Sequence, residues 1–204
     1  MPLSVISAFW VVSILFVITP GVDWAYAISA GLRGRVFIPA VLGMLGGHFI
    51  ATLVVAAGVG ALIAGTPAAM IALTVMGSAY LLWLGIGMIR HPSVPEKSQD
   101  GVSGSWRHWA LRGLCVSGLN PKVFLLFLAL LPQFTSPESL WPLPVQMTVL
   151  GILHVFTCGV VYLLVGYFSR AVLQTRPQAA MRVSQVSGGL MIIIALILIA
   201  EQFL

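Results

Sequence analysis

Asp23, His48, Lys122 and His154 stand deep inside apolar runs of this chain. A charge at the centre of a hydrocarbon layer costs about 2.5–3.5 kcal/mol, and a function is the usual offset. The four side chains suggest two kinds of chemistry. A carboxylate can counter an ammonium group or carry a proton, and an ammonium can hold a carboxylate. An imidazole titrates near neutral pH and can relay a proton. Two of the four sit beside helix breakers. Asp23 follows Thr19-Pro20-Gly21-Val22, and Lys122 closes Ser117-Gly118-Leu119-Asn120-Pro121-Lys122. Asn is a good N-cap and Pro is favoured at the first helical position. Asn120-Pro121 therefore marks one helix ending and another beginning, with Lys122 in the first turn of the second.

The elements that carry these residues are apolar helices. Of the 204 residues, 59% are hydrophobic and 7% charged, and mean hydropathy is +1.05. A soluble domain carries about 25% charged residues, so an ordinary soluble fold is excluded. Six stretches reach the ~20 residues that a span needs: Leu3 to Gly31, Val36 to Ala64, Pro67 to Ile89, Trp109 to Leu131, Leu143 to Phe168 and Val183 to Leu204. The first is expected to be a retained span and not a cleaved leader, because no Lys or Arg precedes Arg33. The expected organisation is a single transmembrane domain over residues 1–204. Repeat one covers 1–90, a Pro/Ser/Gly-rich linker 91–108 and repeat two 109–204.

Nine of the ten basic residues fall in or beside three of the loops, and the tenth is Lys122. They are Arg33 and Arg35; Arg90, Lys97, Arg107 and Arg112; and Arg170, Arg176 and Arg182. The positive-inside rule puts these loops in the cytoplasm and both termini outside. Each half has an odd number of spans, so the second half enters the membrane inverted. Each half opens with a proline-broken span (Pro20; Pro121) and carries a histidine in its next span (His48; His154). Inverted repeats with broken helices are a transporter architecture whose site lies at the midplane. From Gly21 to Gly31 and from Pro121 to Leu131 are 11 residues each. At 1.5 Å per residue each half-helix covers about 16 Å, half of a ~30 Å core. Their positive N-terminal ends converge there, and a carboxylate fits such an end. The expected substrate-binding set is Pro20, Gly21, Asp23, Asn120, Pro121 and Lys122. Asp23, His48 and His154 are the expected proton-coupling groups.

Bland readings stand beside these. The prolines are compatible with simple kinks, Asp23 and Lys122 with a structural ion pair, and the histidines with helix–helix hydrogen bonds. Gly43 and Gly47 suit close internal helix packing more than a dimer seam. Cys115 and Cys158 lie in different spans and offer neither a disulfide framework nor a metal spacing. No metal site and no cofactor is assigned.

The same residues carry a resemblance. Thr19-Pro20-Gly21-Val22-Asp23, Gly31-Leu32-Arg33-Gly34-Arg35, Gly43-Met44-Leu45-Gly46-Gly47-His48, the run Gly77 to Gly85, and Gly118 to Lys122 with Leu131-Pro132-Gln133-Phe134 occur in this order. In that order and spacing the chain resembles the LysE/RhtB family of amino-acid exporters over nearly its whole length. Val22 stands where a second proline is common in that family, and His48 where many members carry Asp. The resemblance implies an all-α integral membrane protein of six transmembrane helices in a bacterial inner membrane. It implies export of an amino acid or related zwitterion, with proton antiport as the expected drive, and no catalytic residues. The expected partners are a small-molecule substrate and membrane lipid, with no nucleic acid and a homodimer left open. The alternatives are a divalent metal-cation exporter of the same superfamily, a non-transporting membrane protein, and an intramembrane enzyme.

Overall fold

A computed structural model describes residues 1–65, 67–92, 105–168 and 177–203. Outside them lie Thr66, the middle of the expected linker with Glu96, Lys97 and Asp100, and two loop arginines, Arg170 and Arg176. The side chain of Glu201 is also outside them. The described residues form helices and no strand. They are α1 (Leu3–Val17), α2 (Val22–Arg33), α3 (Phe37–Gly65), α4 (Pro67–Arg90), α5 (Trp106–Gly118), α6 (Pro121–Leu130), α7 (Leu143–Tyr167) and α8 (Pro177–Phe203), with a 3-10 turn at Pro132–Phe134.

The two expected breaks are present. α1 and α2 meet at 65°, and α5 meets the helical stretch from Lys122 to Phe134 at 49°. By length and composition, Phe37–Gly58 and Leu143–Tyr167 can each cross a membrane, and the two bent pairs bring the number to four. The sequence led us to expect six. Among the described residues, α4 and α8 add the shorter apolar stretches Ser78–Arg90 and Gln185–Ile197. α8 also starts six residues before the expected Val183, at Pro177, where a proline suits the first helical position. α5 starts at Trp106 instead of Trp109, because the Ser105 hydroxyl caps it by accepting from the His108 amide at 3.4 Å.

Helix faces sort by chemistry. On α7, Gly151, His154, Cys158 and Tyr162 recur at three to four residues and are buried. Ile152, Phe156, Val160 and Leu164 on the other side are exposed. On α3, His48, Thr52 and Val55 are buried while Leu42, Leu53 and Val54 are exposed. An outer surface this apolar matches hydrocarbon and not water.

α3 packs most closely on α5 and α7, and α4 on α8. The α3–α5 seam is built from small residues. A Cβ on Gly43 would land on the backbone of Ala110, and one on Gly47 on the backbone of Leu114 and Gly118. Gly113 approaches the Ala40 carbonyl in the same way. The expected internal packing role of Gly43 and Gly47 is therefore what the structure shows. The close approach at Gly47 and Gly118 has a local result. It brings His48 on α3 and Ser117 on α5 to the same depth, beside the first break.

Candidate functional site

The first break opens because α1 stops and nothing on Gly21 closes α2. The Thr19 hydroxyl donates back to the Leu15 carbonyl at 2.8 Å, and the Ile18 amide reaches Ile14. Pro20 supplies no amide to continue the ladder. α2 then begins at Val22 with Gly21 at its N-cap and no side-chain cap. Asp23 sits in that first turn, where a negative charge suits the positive end of the helix. The Trp24 indole spans the break by donating to the Val17 carbonyl at 2.9 Å.

The second break is closed more tightly. The Asn120 carboxamide oxygen accepts from the Lys122 amide at 3.0 Å, and a proline occupies the first turn of α6. Lys122 extends toward the other break. Its ammonium lies 4.7 Å from the centroid of the Phe16 ring, and a Cβ on Gly21 would stand 3.8 Å from it. A desolvated cation over an aromatic face gains about 2 kcal/mol, which offsets part of its burial.

Between the breaks is a cavity of about 300 Å³. Pro20, Gly21, Asp23, Asn120 and Lys122 line it, with His48 and His154 on α3 and α7 and Phe16, Trp24 and Tyr162 completing the wall. Seven of the eight expected binding and coupling residues line this one space. Of Pro121 only the backbone is described, and it starts α6. The volume is at the low end of the ~300–1,000 Å³ range of small-molecule sites. A larger cavity of about 420 Å³, near Met1 and Gln146, is lined by no ionisable side chain. Another, of about 400 Å³, has Arg90, His91 and Lys122 in its wall but no carboxylate. The meeting of an acid with a cation, and not volume, distinguishes the site.

The polar contacts inside are specific. Ser117 donates to one oxygen of Asp23 at 2.7 Å. The other oxygen lies 4.0 Å from His48 Nε2. His48 Nδ1 is 3.0 Å from the Met44 carbonyl, which can only accept, so Nδ1 carries the proton and Nε2 faces the carboxylate. His154 Nδ1 is 2.8 Å from the Ser13 hydroxyl, a link between α7 and α1. The two imidazole rings are 5.6 Å apart. Among the described residues, Asp23 is within 4.0 Å of His48 and not of Lys122, so the direct Asp23–Lys122 ion pair considered from sequence is replaced by an acid–imidazole contact. The two charges share a cavity with space between them.

Ser117, Ser13, Phe16 and Tyr162 were not singled out from the sequence. They reach the site from three helices, α1, α5 and α7, and no local pattern announces such a meeting. Cys158 is different. It follows His154 by one helical turn, a spacing that the sequence reading passed over, and the structure gathers it with His48 and His154. Trp83 is 69% exposed on the outer surface, its ring 5.8 Å from that of Tyr80.

The description of the LysE type translocator family matches residues 14–202. An uncharacterized membrane protein of Vibrio cholerae serotype O1 is 30% identical over 155 residues, 74% of each chain. A cysteine/O-acetylserine efflux protein of Salmonella typhimurium is 28% identical over 136 residues, 66% of this chain and 67% of its own. A homoserine/homoserine lactone efflux protein of the same organism is 31% identical over 126 residues, 62% of this chain and 59% of its own. No solved structure matches. The chain belongs to the LysE type translocator family and is a membrane transporter, not an enzyme.

Proposed function

We propose that this protein exports an amino acid or a closely related small zwitterion across the bacterial inner membrane by proton antiport. One observation carries the reading: two helix breaks deliver an acid, Asp23, and a cation, Lys122, into one cavity without pairing them directly. A zwitterion has the complementary charges. Its carboxylate meets Lys122 and the uncapped start of α2, and its ammonium meets Asp23. The cavity of about 300 Å³ suits a solute of this size. The names of the similar Salmonella proteins, efflux of cysteine with O-acetylserine and of homoserine with its lactone, support small polar amino acids as the first candidates.

The drive comes from Asp23 with His48. A proton taken up between the Asp23 carboxylate and His48 Nε2 bonds the two and occupies the carboxylate, and a substrate ammonium competes for the same group. His154 stands next in line, 5.6 Å from His48. Binding of substrate and binding of a proton at Asp23 then exclude each other, which is the requirement for exchange. The order of elements, a broken pair and two helices followed by the same again, supports two inverted repeats with both termini outside.

The test is growth of an expressing strain on toxic amino acids, their analogues and metal salts, followed by export of the protective compound from preloaded vesicles. Protection against an amino acid or analogue, with pH-gradient-dependent export, is expected. Protection against metal salts alone sinks the amino-acid reading. Reporter fusions at Leu204 and within Ser93 to Ser105 check the orientation, and they should report opposite sides.

A further inference from the structure

The imidazoles of His48 and His154 and the thiol of Cys158 have ligand atoms within 4.8 Å of one another, all on buried residues. Transport of a zwitterion needs no thiol there. From this cluster we infer that the floor of the cavity is a binding site for one borderline-soft d-block cation of the Zn²⁺ type, held by His48, His154 and Cys158 with Asp23 as fourth ligand.

Four observations carry this. First, the donor set fits. Two imidazoles, a thiolate and a carboxylate are a zinc-type combination, and oxygen-preferring cations such as Mg²⁺ are disfavoured by it. Second, the imidazoles are already oriented. Metal-bound histidines hold their other ring nitrogen in a hydrogen bond. His48 Nδ1 is fixed on the Met44 carbonyl and His154 Nδ1 on the Ser13 hydroxyl, which leaves Nε2 of each for an ion. Third, a carboxylate stands beside the three, next to His48. Ser117 holds one Asp23 oxygen, and the other is 4.0 Å from His48 Nε2. Fourth, the charge balances. A divalent ion with one thiolate and one carboxylate is neutral, the form that a low-dielectric interior tolerates. On binding, the Cys158 proton leaves through the cavity, which His48 and His154 line.

Zinc–nitrogen bonds of about 2.0–2.1 Å and a zinc–sulfur bond of about 2.3 Å require ligand atoms about 3.4–3.6 Å apart in a tetrahedron. The cluster must therefore close by about 1 Å, within reach of side-chain rotation. The ligands belong to α2, α3 and α7, so a bound ion ties three helices together and occupies the carboxylate. Inhibition of transport follows, a consequence that rests on the exporter reading; the binding itself does not.

The experiment titrates the purified full-length protein with Co²⁺, then displaces it with Zn²⁺. One equivalent per chain is expected, with a thiolate-to-cobalt charge-transfer absorption and the intense visible bands of a tetrahedral ion. Cys158→Ser should lose the charge-transfer absorption, and Cys115→Ser, at an exposed thiol, should keep it. If Cys158→Ser does not fold, the wild-type titration still decides: no charge-transfer absorption overturns the site. A band that survives Cys158→Ser, or that disappears in Cys115→Ser, overturns it as well. In vesicles, micromolar Zn²⁺ should slow export by the wild type at least tenfold and leave Cys158→Ser transporting. Metal binding without inhibition would keep the site and count against the roles given to Asp23 and His48 in transport.

Discussion

The two helix breaks occupy equivalent places in the two halves, and they are built differently. The first bends by 65° and has a glycine at the start of α2 with no side-chain cap. The second bends by 49°, and the Asn120 side chain satisfies the Lys122 amide while a proline fixes the first turn. The first therefore leaves amide groups open toward the cavity and carries the acid. The second is closed on itself and projects a cation across to the first, where it lies over Phe16. In the proposed binding mode, one break receives an anionic group through its backbone and the other through a side chain. The surroundings differ too. Ser117 and His48 both engage Asp23, whereas Lys122 rests on an aromatic face. This asymmetry gives the proposed zwitterion one orientation in an otherwise repeated frame.

The largest expected effect is at the cation. Lys122→Met should abolish measurable export while the protein inserts and melts normally, because a buried charged hydrogen bond contributes about 1.5–3 kcal/mol, or a ten- to hundredfold change in binding. The aliphatic replacement keeps the stem on Phe16. Near wild-type transport would make Lys122 a structural residue and remove the second break from the site. Asp23→Asn should separate the two halves of the mechanism. Loss of pH-gradient-driven export is expected, with substrate exchange across vesicles without a gradient retained. Gradient-coupled export at the wild-type rate would rule out the carboxylate and leave the histidines as carriers.

The seam comes next. Gly47→Val would place a branched side chain on the backbone of Leu114 and Gly118. Overpacking of this kind typically costs about 1–3 kcal/mol. The expected result is a lower melting temperature together with weakened coupling, since α5 carries Ser117 away from Asp23. Gly46→Ala, where the nearest atom is a flexible Leu114 methyl 3.8 Å away, is the matched control and should change neither. A fall in stability without any change in coupling would mean that the seam holds the fold but does not set the site.

How much of this was legible follows from the range of each signal. Both breaks could be placed to the residue, because Pro20-Gly21 and Asn120-Pro121 act on their own backbone. The residues beside those breaks that line the cavity were named for the same reason. His48 and His154 could be named as intramembrane imidazoles. Their approach to 5.6 Å could not be foreseen, since it depends on how α3 packs on α7. The contact of Ser117 with Asp23 joins residues 94 positions apart, and it exists because Gly47 and Gly118 let two backbones touch. Cys158 stands one helical turn after His154, a spacing legible in the sequence, but that both meet His48 depends on how α3 packs on α7. Starts of α5 and α8 were missed by three and six residues. Apolar periodicity fades at span ends, where capping and not hydropathy decides.

The smallest effects test the asymmetry of the breaks most directly. Asn120→Ala removes the cap on the Lys122 amide, and such a loss typically costs about 1 kcal/mol. A lower melting temperature with little change in substrate affinity is expected, because the Lys122 ammonium is held from the far side by Phe16. Gly21→Asn is the converse. It offers a side-chain cap where α2 has none, and the Gly21 backbone is extended, a conformation that any residue adopts. The added Cβ would make only an ordinary 3.8 Å contact with the Lys122 ammonium. Replacing a glycine cap by asparagine gains a few tenths of a kcal/mol, so stability should rise slightly. The same carboxamide would occupy the amides proposed to meet the substrate carboxylate, so KM should increase. Stability and affinity would then move in opposite directions at Gly21: a steadier helix that binds less. A Gly21→Asn protein that is both more stable and binds substrate as the wild type does would show that the open start of α2 is not a ligand site, and Lys122 alone would then hold the anionic group.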